Sequence, residues 1–133
     1  MTEPFIYIAT YGIKPHYLDV APQRFREVTR LVEEREPQMR SFHFYLDPQR
    51  GRAICVQVHA DGDSMANHMA TIADHLSGAW DWLDLEDTDQ LVLGSPPQVL
   101  TDYWREFGGQ PDTYPTFVAG FARSTLPLDA TST

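Results

Sequence analysis

Cysteine and positive charge are both scarce in this sequence. The 133 residues include a single cysteine, Cys55, so no disulfide can form within the chain and no cysteine cluster can hold a structural zinc ion. Ten lysine and arginine residues are outnumbered by 19 aspartate and glutamate residues, which leaves a formal net charge of −9. Because this charge repels a phosphate backbone, we expect no nucleic-acid partner.

Long apolar runs and the common cofactor motifs are also absent. No stretch approaches the roughly 18 apolar residues that a membrane-spanning helix needs, and no basic segment precedes the first apolar one. We therefore expect a soluble, cytoplasmic protein with no membrane partner. The sequence contains no Gly-x-Gly-x-x-Gly, P-loop, His-Glu-x-x-His or nucleophile elbow, so it gives no support to nucleotide, phosphate or zinc-hydrolase chemistry.

The sequence has the composition of one packed domain, with 42% hydrophobic and 12% aromatic residues. Residue patterns predict strands over residues 5–13, 40–47, 51–60 and 85–94, and helices over 21–36, 61–79 and 97–107. Residues 1–109 are predicted to form the domain, and residues 110–133 a C-terminal extension with a fifth strand at 116–123 and a loose tail. The order strand, helix, strand, strand, helix, strand predicts an α+β, ferredoxin-like fold with an antiparallel sheet.

A ferredoxin-like sheet carries its helices on one face and leaves the other face uncovered. The predicted uncovered face carries Tyr7, Tyr11, Tyr45, Cys55 and Gln57. This face is too aromatic to remain in water, and packing against a second copy is the usual solution. We therefore expect a homodimer.

Histidines are the side chains best suited to proton transfer near neutral pH. His43 and His59 are predicted on strands, where each can be hydrogen-bonded across the sheet. His68 and His75 are seven residues apart on the second helix, at the border of its apolar stripe. Seven residues correspond to about 10.5 Å along a helix, too far for both rings to bind one ion, so no metal site is expected.

Two segments resemble a known family. They are the hairpin of residues 42–47 leading to 56–59, and the segment Asn67-His-Met-Ala-Thr-Ile-Ala-Asp-His-Leu-Ser-Gly-Ala-Trp80. Together they resemble the antibiotic-biosynthesis monooxygenases, a family of dimeric α/β-barrel proteins, over roughly residues 4–95. In that family a helix carries one histidine, then a second followed by an apolar residue and an aromatic one. These map to His68, His75, Leu76 and Trp80.

The resemblance implies a small monooxygenase that needs no cofactor and uses molecular oxygen as co-substrate. A deprotonated phenol or hydroquinone can give an electron to O₂ directly, so the protein supplies a base and a dry pocket. His75 is the expected base, with His68 in reserve. Candidate contacts for a phenolic, quinol or polycyclic aromatic substrate are Asn67, Tyr45, His43, Trp80, Phe42, Phe44 and Met69.

Two other functions remain open at this stage. One is a non-catalytic, dimeric protein that binds a small ligand in the same pocket. The other is a cyclase or isomerase for a polyketide-like substrate, which keeps the base and does not use oxygen. The residues alone do not distinguish these alternatives, because one fold can support varied chemistry.

Overall fold

The computed structural model describes residues 3–79, 81–107 and 109–123 and places five strands in one sheet. The strands are β1 (Phe5–Ile13), β2 (Met39–Asp47), β3 (Arg52–His59), β4 (Leu83–Leu93) and β5 (Asp112–Tyr114). Their order is β2-β3-β1-β4-β5, with antiparallel pairing throughout except that β5 runs parallel to β4. The predicted α+β, ferredoxin-like fold is confirmed.

Four α-helices accompany this sheet in the described part of the chain. They are α1 (Ala21–Arg35), α2 (Gly62–Thr71), α3 (Ala73–Ala79) and α4 (Gln98–Phe107). Pro22 lies in the first turn of α1, where no N–H is needed, and the helix buries Phe25, Val28 and Val32 against the sheet. A 3-10 helix, Pro15–Tyr17, joins β1 to α1 and was not predicted from the sequence.

The second predicted helix is interrupted at Ile72. This residue has φ −99° and ψ 9°, and its N–H bonds to the carbonyl of His68 before α3 begins. Thr71 and Ile72 are both β-branched, and such residues lose side-chain freedom in a helix. The prediction of one helix carrying both His68 and His75 is therefore wrong, because His68 lies on α2 and His75 on α3.

The predicted assignment of the two sheet faces is also wrong. Tyr7, Cys55 and Gln57 are buried, and Tyr7 and the half-buried Tyr11 pack in the core beneath the helices. The Tyr7 hydroxyl donates to Oε1 of Gln90 at 2.6 Å and its ring stacks on Trp104. Both faces of β1 and β3 are largely apolar. The alternation of side chains along these strands therefore could not identify the face that the helices cover.

The outer face carries aliphatic side chains instead. Register and burial place seven of them there: Ile6, Ile8, Ile54, Val56, Val58, Leu91 and Leu93. Tyr45, which is 64% exposed and pairs with Ile54, is the one member of the predicted face found on this side.

The fifth strand is shorter and earlier than predicted. It comprises Asp112–Tyr114, which pair with residues 91–93 of β4. Pro115 has no N–H to extend the ladder, and residues 115–123 continue without strand pairing, so the prediction of a strand at 116–123 is wrong. Phe117, Val118 and Phe121 of this segment are exposed. Within the described ranges, no helix combines the length and hydrophobicity needed to cross a membrane.

Candidate functional site

A glutamate lies at the buried end of α1. Glu36 follows the buried positions Val28 and Val32 along the helix face and is itself only 3% exposed. Its backbone leaves the helix, with φ −128° and ψ 73°, because Pro37 disfavours helical geometry in the residue before it. The N–H of Glu36 still bonds to the carbonyl of Val32 at 2.9 Å. The side chain is thereby directed into the protein interior.

This carboxylate pairs with a histidine of α2. Nδ1 of His68 lies 2.8 Å from Oε2 of Glu36, and both side chains are 1% exposed. A carboxylate oxygen accepts, so Nδ1 carries the hydrogen, and Nε2 is left as the ring nitrogen available for a different partner. The Phe42 ring packs 5.6 Å from the imidazole and limits its movement. The arrangement is a buried carboxylate–imidazole pair.

A second buried histidine lies beside this pair. The ring of His59 on β3 is 5.8 Å from that of His68. Nε2 of His59 is 2.9 Å from Oε1 of Gln57, and Nδ1 is 2.8 Å from Oγ of Ser64. The Gln57 amide nitrogen donates to Sγ of Cys55, so its oxygen is the acceptor for His59. His59 therefore donates through Nε2 and accepts from Ser64 through Nδ1, which is the pattern of a neutral ring.

The environment favours that neutral state. Burial, with a smaller contribution from neighbouring His68, lowers the pKa of His59 to about 4. Both nitrogens of His59 are committed to internal partners. We therefore assign it a structural role, which is to hold Ser64 and the start of α2 against β3.

Protonation of His59 is expected to destabilise the protein. In the unfolded chain the ring protonates near pH 6.5, and in the folded chain only near pH 4, so the folded state binds fewer protons between these values. The free energy of unfolding should therefore fall by on the order of 3 kcal/mol as pH drops through this window. Urea unfolding at about pH 7 and about pH 4.5 measures the change, and His59→Gln should show a shallower dependence. If the free energy of unfolding depended equally on pH in the wild type and in His59→Gln, the assignment of His59 as a buried neutral ring would be contradicted.

One oxygen of Glu36 has no partner among the residues that the structure describes. Its Oε1 is buried, and no hydrogen-bond donor reaches it from the described residues. Leaving a buried acceptor unsatisfied costs about 1–3 kcal/mol, more when the group is charged. Glu36 also lines a cavity of about 420 Å³ with Thr29, Val32, Met39 and Phe42 among its walls. A ligand in that cavity with an O–H or acidic C–H group could supply the missing contact after a small side-chain movement.

A shallow groove continues from this cavity along α1 and the edge strand β2. It encloses about 530 Å³ and shares Thr29, Glu33 and Phe42 with the cavity. Its remaining walls are Pro22, Phe25, Arg26, Arg30, His43, Phe44, Tyr45 and Leu46. The two spaces together form a continuous surface beside the buried pair, apolar at its base and charged on the helix side.

The structure brings several of the predicted site residues together here. His43, Tyr45, Phe42 and Phe44 all line the groove, and His68 is buried behind Phe42. Met69 packs instead into the separate cluster around Tyr7 and Trp104.

The remaining predicted residues lie elsewhere. Asn67 is exposed on α2, and His75 is half-buried on α3. Trp80 lies outside the described residues. In the part of the chain that the structure describes, no three side chains of His, Cys, Asp or Glu are grouped so that they could hold a metal ion.

Glu36 was missed as a functional residue, although the sequence contains a signal for it. It occupies the next position of the apolar stripe after Val32, four residues further on, where a charged residue is unusual. The partnership of His59 with Ser64 was missed because it depends on the contact between β3 and α2. The two residues are only five apart, but the geometry of the turn between the strand and the helix decides whether they meet.

These features define a class of protein: a ferredoxin-like α+β domain with a buried carboxylate–imidazole pair beneath its helices. Comparison with protein-family models and with curated proteins gives no match. Among solved structures, the chain is similar to MupZ from Pseudomonas fluorescens, with a TM-score of 0.75 and 17% identity over 92% of this chain and 91% of MupZ.

Shorter proteins share the same fold. The chain is similar to a protein described as an antibiotic biosynthesis monooxygenase, with a TM-score of 0.58 and 18% identity over 70% of this chain and 99% of the other. It is also similar to Rv0793 from Mycobacterium tuberculosis, with a TM-score of 0.58 and 14% identity over 72% and 98%. The chain thus has the fold of the antibiotic biosynthesis monooxygenases, and the predicted resemblance is confirmed for the fold.

Proposed function

We propose that this protein is a cofactor-independent monooxygenase for a phenolic, quinol or polycyclic aromatic substrate. The observation that carries the proposal is the buried Glu36–His68 pair beside a cavity of mixed polarity, with one carboxylate oxygen lacking a donor among the described residues. The fold shared with proteins described as monooxygenases supports oxygen as the co-substrate.

The pair is suited to accept a proton from the substrate. His68 donates Nδ1–H to Oε2 of Glu36 and so fixes the carboxylate, which leaves Oε1 free to accept. Removing a proton from a hydroquinone makes it electron-rich enough to reduce O₂. One oxygen atom then enters the ring to give a hydroxyquinone, and the other leaves as water with two hydrogens from the substrate. Phe42 and Val32 line the cavity and provide apolar contacts for the ring of the substrate.

This proposal moves the proton acceptor from His75 to the Glu36–His68 pair. His75 is half-buried on α3, and none of the hydrogen bonds found among the described residues joins it to this pair. His68 was the reserve candidate from the sequence, and the new element is the carboxylate of Glu36, which His68 holds in place and which accepts the proton.

Oxygen uptake tests the proposal directly. Chelator-treated protein is incubated with a panel of hydroquinones and fused-ring phenols while O₂ and products are measured. We expect one O₂ consumed per product, incorporation of one ¹⁸O atom from labelled gas, and no accumulation of hydrogen peroxide. Tight binding without oxygen uptake would favour the ligand-binding alternative. A rearranged product formed without oxygen would favour the cyclase or isomerase.

A further inference from the structure

We infer that the groove between α1 and β2 is a subsite for a carboxylate-like anionic group on the substrate, held by Arg26 and Arg30. The inference rests on the proposed function, because it describes the part of the substrate that lies away from the reacting position. It defines the substrate class as an aromatic compound that carries an acidic substituent.

The geometry of the groove favours an amphipathic ligand. Arg26 and Arg30 are four residues apart on α1, so they lie on one side of the helix and line the same wall. The base of the groove is aromatic: the rings of Phe25 and Phe44 stack 4.3 Å apart, and Phe42 meets Phe44 edge-on at 5.0 Å. The apolar base suits the ring system of a ligand, and the guanidinium groups suit its acid.

The strand side of the groove is formed by β2. His43 and Tyr45 line its edge, but the register places their side chains on the outer face with Val56 and Ile54, so Arg26 and Arg30 are the donors that an anion on the helix side meets. Among the described residues that line the groove, only Glu33 is acidic. The local charge of the groove is therefore positive, in a chain whose net charge is −9.

Arg26 and Arg30 also form no ion pair within the described part of the chain. Arg50, Arg52 and Arg105 each form an ion pair with an aspartate. Among the described residues, no ion pair includes Arg26 or Arg30. A guanidinium without a carboxylate partner can bind one from a ligand through two parallel hydrogen bonds, a geometry that lysine does not provide.

The helix itself sets the length of the ligand. Arg30 precedes Glu36 by six residues and Arg26 precedes it by ten, which corresponds to about 9 Å and about 15 Å along the axis of α1. The cavity beside Glu36 and the groove share Thr29, Glu33 and Phe42, so one molecule can occupy both. A span of this order exceeds a single phenol ring and suits a fused-ring compound or an aromatic ring with an acidic side chain.

Binding measurements with a matched pair of probes test the inference. The probes are a dihydroxyanthraquinone carboxylate and the same compound with a methyl group in place of the carboxylate. We expect the wild-type protein to bind the carboxylate at least about tenfold more tightly, a preference of the size given by a charge-assisted hydrogen bond. Arg26→Gln and Arg30→Gln should each weaken carboxylate binding about fivefold at low salt and leave the methyl compound unaffected.

Arg35→Gln is the matched control. Arg35 is exposed on the same helix and lies outside the groove, so this variant removes the same charge without changing the subsite. We expect it to retain the preference for the carboxylate. Equal binding of the two probes by the wild type, absence of binding of both, or an equal loss in Arg35→Gln would overturn the inference.

The test of the anionic subsite and the test of the monooxygenase activity can succeed or fail independently. The probes are already oxidised quinones, so their binding needs no turnover. If the arginine-dependent preference is found and no hydroquinone consumes oxygen, the monooxygenase proposal fails and the subsite stands. If oxygen uptake is found and the preference is absent, the subsite fails and the monooxygenase stands.

Discussion

Glu36→Gln is expected to lower the turnover of a hydroquinone by about 10²-fold or more. The amide keeps the shape of the side chain, and its oxygen can still accept from Nδ1 of His68, so the fold should be retained. It cannot take a proton from the substrate, and loss of a general base typically costs 10²–10⁴-fold. Initial rates of oxygen uptake measure the effect, with thermal unfolding to confirm that the variant is folded.

His68→Gln should cause a loss of similar size, because the two groups act as a unit. Residues that act together give non-additive effects, so the Glu36→Gln and His68→Gln double variant should be little worse than either single variant. His75→Gln is the control and is expected to keep turnover close to that of the wild type. Full activity of Glu36→Gln together with loss of activity in His75→Gln would show that His75 is the base, as first expected from the sequence.

The second large effect concerns the outer face of the sheet. We propose that a homodimer forms through this face rather than through the one predicted from the sequence. Ile8 of β1 and Val56 of β3 are directly opposite each other near its centre, with five further aliphatic side chains around them. The exposed apolar residues Phe117, Val118 and Phe121 of the C-terminal segment also lack a covering surface among the described residues. An apolar area of this kind usually marks a protein interface.

Val56→Asp should therefore dissociate the dimer. An unpaired charge buried in an interface costs about 3–5 kcal/mol, which corresponds to a rise of at least about 100-fold in the dissociation constant. Sedimentation velocity over a concentration series measures it. Gln23→Asp, which adds the same charge on the exposed side of α1, should leave the dimer intact. A wild-type protein that remains a 15.2 kDa monomer at micromolar concentration would contradict the proposal.

The elements of the fold were largely predictable from local patterns. The strand predicted at 5–13 has the same bounds in the structure, and the helix predicted at 97–107 begins one residue later. The interruption at Ile72 was not predictable, because neither glycine nor proline marks it. The choice of sheet face failed for a different reason: buried tyrosine and glutamine look polar in a sequence, yet Tyr7 is satisfied by Gln90 of β4 and Gln57 by His59 of its own strand.

The candidate site was predictable only in part. Phe42 and Phe44 were expected as apolar walls for a substrate and His43 and Tyr45 as polar contacts, and all four residues line one groove in the structure. The pairing of Glu36 with His68 joins residues 32 positions apart. Only the packing of α1 against α2 brings them together, and no spacing within either helix encodes that contact.

The single thiol provides a built-in probe of how the sheet opens. Cys55 is 1% exposed in the middle of β3, and burial raises its pKa to about 12. In the closed sheet it is therefore both inaccessible and protonated, and an alkylating reagent can modify it only when β3 separates from its covering helices. With no other cysteine in the sequence, the labelling rate at mildly alkaline pH reports the free energy of that one local opening, without any introduced label. Substrate bound beside Glu36 should slow the labelling if it stabilises the packing of the helices over β3.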